Sequence, residues 1–136
     1  MYLFVLHDYD TNFIHVVPLK SREATELLRW FKACYKELLD NGFCAKDIRC
    51  DNEISNIFTK HMELAQLRYQ LALPGKHRTN PAKRTIQTYK NHFIAILSGT
   101  DDDFPDNCWD LLVTHTNITL NLLQPSYIQP KLSAYA

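Results

Sequence analysis

Glycine is scarce in this 136-residue chain, with three in all. Gly42, Gly75 and Gly99 are too far apart for a G-x-G-x-x-G turn or a phosphate-cradling loop, so dinucleotide and P-loop enzymes are excluded. Four cysteines, Cys34, Cys44, Cys50 and Cys108, form no C-x-x-C pair that could open a zinc site, and they read as buried intracellular thiols. No apolar run approaches the roughly 18 residues of a membrane-spanning helix. The opening MYLFVLHDYD lacks the basic and long apolar regions of a signal peptide. An intracellular protein, cytoplasmic or nuclear and without membrane attachment, is the expectation. Net charge is missing too: Lys plus Arg equals Asp plus Glu at 15 each, so bulk charge names no partner.

What is present is unevenly placed. No acidic residue stands between Glu63 and Asp101, while Arg68, Lys76, Arg78, Lys83, Arg84 and Lys90 fall in that interval. Asp101, Asp102, Asp103, Asp106 and Asp110 then follow with no base among them. The neutral total therefore conceals a basic block and an acidic one, and a basic block calls for an anionic partner.

A hydrophobic share of 46% suffices for one globular core, so residues 1–136 are read as a single domain. YLFVLH at 2–7 and FIHVV at 13–17 flank the turn formers DYDTN, which predicts a hairpin closed by Pro18. Ser21 is placed to cap a helix in which Ala24, Leu27, Leu28, Phe31, Tyr35, Leu38 and Leu39 recur at helical spacing until Asn41-Gly42. A strand at 47–50, a helix near 55–64 and a strand at 68–73 come next. The segment 73–79 reads as an exposed loop, and Asn80-Pro81 as a cap and first-turn proline opening a helix to about Leu97. A last helix spans about 107–122. The order ββαβαβα plus a further helix gives a mixed α/β layout.

Three features bear on chemistry. Asp51 lies just past a predicted strand, at the carboxyl end where open sheets gather their sites; it is either a metal ligand or the cap of the next helix. Asp8 and Asp10 flank Tyr9 and have the oxygen donors for a divalent cation, but their DYDTN setting favours a solvated turn. Lys76, His77 and Arg78 precede a helix start whose free amides favour anions, and Lys83, Arg84 and Lys90 lie on that helix. Ile86, Tyr89, Phe93 and Leu97 supply its apolar face, which leaves the bases for a phosphate backbone or for solvent. The six histidines are scattered and read as structural.

Taken in order, the hairpin YLFVLHDYDTNFIHVVPLKS, the strand end DNE at 51–53, the helix opening NPAKRTIQTYKNHF at 80–93 and the closing LNLLQPSYIQPKLSAYA resemble the integrase region of retrotransposon polyproteins. The resemblance implies a ribonuclease-H-like fold: a mixed sheet flanked by helices, here lacking the first, central strand. It also implies DNA as partner through its phosphate backbone, self-association, and Mg²⁺ or Mn²⁺ held by an Asp, Asp, Glu trio in intact relatives.

Residue by residue, Asp51 matches the second acid. The third belongs in the helix-start pattern N-x-A-acid-R, where this chain has Asn80-Pro81-Ala82-Lys83-Arg84, so Lys83 replaces it. The first acid and the upstream zinc-binding domain have no counterpart in these 136 residues. An ammonium group cannot ligate a cation and repels one at close range. The expected protein is a degenerate integrase core that binds DNA without productive metal binding or strand transfer. The alternatives are a segment of a longer active strand-transferase and a domesticated non-catalytic module.

Overall fold

The computed structural model describes residues 2–50, 55–71 and 81–135. Among the described residues are four strands and four α-helices: β1 Tyr2–His7, β2 Ile14–Leu19, α1 Ala24–Asp40, β3 Asp47–Cys50, α2 Asn56–Leu64, β4 Arg68–Leu71, α3 Pro81–Ser98 and α4 Trp109–Leu123. A 3₁₀ turn, Asp106–Cys108, leads into α4. The strands form two separate two-stranded sheets, the β1-β2 hairpin and the parallel β3-β4 pair. The chain divides into two compact units.

One unit, essentially residues 19–80, holds α1, β3, α2 and β4. Burial of Phe31, Cys34 and Leu38 follows the three- and four-residue spacing that a helix needs to show one apolar face. Phe31 meets Phe58 of α2 with ring centroids 4.8 Å apart, and Met62, one helical turn after Phe58, is fully buried. The helix α1 ends as its sequence dictates. Gly42 takes φ +85°, and the bonds Gly42 N to Leu39 O (2.9 Å) and Phe43 N to Leu38 O (2.9 Å) make a Schellman closure. At the other end the expected cap differs. The residue before the helix is Glu23, and Ser21 instead donates its hydroxyl to Glu26 (3.0 Å), which also accepts the Ser21 and Lys20 amides at 3.2 Å. Those donors hold the Glu26 carboxyl below its usual range.

In the parallel pair Asp47 lies opposite Arg68 and Cys50 opposite Leu71. A bidentate ion pair spans the first rung, Arg68 Nη2 to Asp47 Oδ2 at 2.9 Å and Nε to Oδ1 at 2.8 Å. The described part of β4 ends at Leu71, so the last two residues of the expected 68–73 strand lie outside the described residues.

The other unit, Leu3–Pro18 with Pro81–Ala136, holds most of the hairpin, α3 and α4. Its core is Ile14, Val16, Tyr89, Val113 and Leu120, with Leu3, Val5, Phe93 and Trp109 packed against it. Pro18 does not close β2, which runs on to Leu19; proline is tolerated where its missing N–H faces no ladder partner. Asn121 is fully buried and completes the edge of β2. Its Oδ1 accepts from Ile14 N at 2.9 Å, and its Nδ2 donates to Ile14 O and Asn117 O, both at 2.8 Å.

Candidate nucleic-acid interface

The helix α3 opens on proline, whose fixed φ and missing N–H suit a first helical position. Its inward face comprises Thr85 (6% exposed) and Tyr89 (1%), with Phe93 and Ile96 half-buried further along. Tyr89 donates its hydroxyl to Val113 O of α4 at 3.3 Å, and burial pushes its phenol up to about 12. His92 Nε2 meets Thr119 Oγ1 at 2.9 Å.

The apolar face is therefore rotated from the one expected. Tyr89 and Phe93 belong to it, but Ile86 and Leu97 are exposed at 36% and 42%, and Thr85 takes a core position. The reason is polar: a threonine hydroxyl that finds a hydrogen bond is cheap to bury, and Thr85 finds one on the hairpin.

Lys83, Arg84 and Lys90 are all exposed. At about 100° per residue, Lys83 and Lys90 share one stripe of the helix, with Gln87 between them and roughly 10 Å of rise from end to end. Arg84 projects about 100° away from that stripe. Gln87 donates to Asn91 at 2.9 Å, which orients its amide along the same surface. Asp51, Lys76, His77 and Arg78 lie outside the described residues.

Strand β1 braces the first turns of α3. His7 Nδ1 is 3.1 Å from Thr85 Oγ1 and its Nε2 is 3.0 Å from Asn12 Oδ1. Asn12, at φ 67°, donates its own amide nitrogen to Pro125 O at 3.0 Å. Asp8 is spent on the turn, accepting Thr11 Oγ1 at 2.6 Å and the Asp10 amide at 3.2 Å; this is the turn chemistry that DYDTN announces.

No protein-family model and no curated protein sequence matches this chain. Solved structures do. A chain from the structure of the simian T-cell lymphotropic virus intasome in complex with PP2A regulatory subunit B56 gamma superposes with a TM-score of 0.73 at 18% identity, over 98% of this chain. The catalytic core domain of BIV integrase superposes with a TM-score of 0.67 at 9% identity, over 98% of this chain and 82% of that one.

The fold is that of a retroviral integrase core.

The chain spans 46% of the length of the intasome chain it resembles. The ribonuclease-H-like architecture expected from the sequence is thus present at identities too low to carry residue roles across. Among the described residues no three His, Cys, Asp or Glu side chains gather where a metal ion could be held. Among the described residues, no helix is long and apolar enough to cross a membrane.

Two features of this unit escaped sequence reasoning. The His7–Thr85 contact joins residues 78 apart and had no local signal. Asn121 stands in the closing LNLL run that contributes to the resemblance, and its role proves to be completing the β2 edge. A lone asparagine inside an otherwise apolar helix stretch is the one hint the sequence offered.

Proposed function

We propose that this chain is the integrase-like nucleic-acid-binding domain of a retrotransposon polyprotein, folded as one partial core domain over residues 1–136, that holds DNA by its phosphate backbone and does not carry out strand transfer. The observation that carries the reading is the α3 surface. Lys83 and Lys90 stand free on one stripe of a helix whose opposite face is anchored in the core, Arg84 flanks them, and no acid occurs in the helix. Lysines on a rigid helix at two-turn spacing meet a polyanion with little ordering cost, and each phosphate neutralised releases counterions. Lys76, His77 and Arg78 extend the basic run in sequence toward the amino end of α3.

Charge at the candidate site opposes strand transfer. Asp51 is the one oxygen donor of the trio that the chain retains, and Lys83 substitutes a positive charge for another. Mg²⁺ or Mn²⁺ is accordingly not held productively. Self-association, as in the intasome that the fold resembles, belongs to the same proposal.

The test is binding of the purified chain to a labelled DNA duplex across a salt series. A steep linear fall of log affinity with log salt supports the reading. Binding that is absent at low salt, or insensitive to salt, rejects it. Mg²⁺-dependent strand transfer by the unmodified chain would reject the claim of inactivity while leaving DNA binding intact.

A further inference from the structure

Helix α1 carries a second run of bases, in the unit that does not contain α3. At about 100° per residue, Arg29, Lys32 and Lys36 fall within roughly 60° of one another and span about 10 Å of rise. All three are exposed. The opposite face of the helix is fixed by buried Phe31, Cys34 and Leu38, so the stripe stands on a held support.

Its charge order sets this stripe apart from an ordinary solvated face. Opposite charges three or four residues apart stabilise a helix, and like charges at that spacing destabilise it. Lys32 has Arg29 three residues before it and Lys36 four residues after it, and no acid at any three- or four-residue neighbour. On α2, His61 meets the Phe31 ring edge-on with centroids 6.2 Å apart. Burial and the charge of Lys32 together make His61 hold its proton less tightly than an ordinary histidine.

The acids of α1 do not relieve this crowding. Glu26 is 3.8 Å from Arg29 and already accepts from Ser21 and the Lys20 amide. Glu37 lies about 100° round the helix from Lys36 and acts on Cys34. Lys32 and Lys36 form no ion pair among the described residues, although Asp40 follows Lys36 by four positions. Arg29 is ordered by Trp30, with its guanidinium carbon 5.2 Å from the ring centroid.

We propose that Arg29, Lys32 and Lys36 form a second nucleic-acid contact on this chain, a phosphate-backbone surface on α1 that shares no residue with the α3 bases. A polyanion supplies the counter-charge that the helix withholds from Lys32, and three bases along one rigid face meet successive phosphates without reading sequence. Between Arg29 and Lys36 the exposed apolar residue is Ala33. It is too small for the aromatic or aliphatic anchor on which a protein interface centres, so the stripe suits a repeating phosphate chain better than an acidic protein.

The experiment titrates the full chain with a short DNA duplex while the His61 imidazole and the Lys32 and Lys36 amides are followed by NMR. All three should shift, and the protonation midpoint of His61 should rise as phosphate offsets Lys32. The affinity read from these signals should fall about 40-fold between about 50 and about 200 mM salt, the effect of about three neutralised phosphates. A duplex that moves none of them overturns the α1 surface. Lys32→Ala/Lys36→Ala should lose the His61 response and melt no lower than wild type, because alanine favours helix and the like-charge crowding is gone. A retained response, or a lower melting midpoint that assigns these lysines to the fold, overturns the proposal. Lys83→Ala/Lys90→Ala should keep the His61 response. If duplex binding is indifferent to those α3 substitutions while His61 still responds, the α3 reading fails and the α1 surface stands; if the α3 signals alone respond to duplex, the α1 surface fails and the α3 reading stands.

Discussion

The carboxamide of Asn121 grips the backbone of Ile14 from both sides, accepting its N–H at 2.9 Å and donating to its carbonyl at 2.8 Å. The side chain does for the strand what a neighbouring strand would do. Both residues are at most 1% exposed, so neither backbone group has water as an alternative partner.

Truncation of Asn121 should consequently be expensive. Asn121→Leu keeps the volume and strands two buried backbone groups, at about 1–3 kcal/mol each, so a loss of about 3 kcal/mol in urea unfolding is expected. A loss below about 0.5 kcal/mol would mean that water reaches Ile14.

The α3 stripe has its own signature in salt dependence. Lys83→Ala and Lys90→Ala should each reduce the slope of log affinity against log salt by about 1, with similar weakening on unrelated DNA sequences. A variant that weakens one DNA sequence alone would show base contact in place of backbone contact.

Stability should respond to acid through His7. Its folded-state pKa lies below the ordinary 6.5, so the unfolded chain takes up the proton first. The stabilisation is complete above 6.5 and is lost as pH falls through the folded value. His61, held low by burial and by Lys32, adds in the same direction. Thermal melts of wild type should drop on acidification through this range, and His7→Gln should remove part of the drop while leaving the His61 share.

Thiol labelling offers a check on packing. Burial pushes the Cys34 and Cys50 thiols up to about 11, whereas Cys44 is exposed. Iodoacetamide near neutral pH should modify Cys44 first and Cys34 last, since the thiolate is the nucleophile. Early labelling of Cys34 in the folded chain would contradict its burial on α1.

The Arg68–Asp47 pair makes a contrast with Asn121. Its geometry is bidentate, yet the two side chains are 75% and 69% exposed, and exposed pairs contribute about 1 kcal/mol or less. Arg68→Ala should move the unfolding midpoint little. By comparison Phe31→Ala, which empties the contact with Phe58, should cost about 3–5 kcal/mol.

Local chemistry was legible in the chain itself. The hairpin around DYDTN, the Asn41-Gly42 stop of α1, the proline start of α3 and the basic block with its exposed lysines all follow from rules that act over a few residues. The mixed α/β character followed from element order, and the resemblance to integrases was carried by four short segments in sequence. What the chain could not announce was every arrangement set by residues far apart. The rotation of α3 that buries Thr85 and leaves Ile86 and Leu97 outside depends on a histidine 78 positions earlier. The pairing of Asn121 with Ile14 spans 107 positions. Hydrophobic periodicity ranks side chains by their aversion to water, so it marks a helix and its approximate face. It is blind to a polar group whose burial is compensated by a distant hydrogen bond, and those bonds exist only once the tertiary structure has formed.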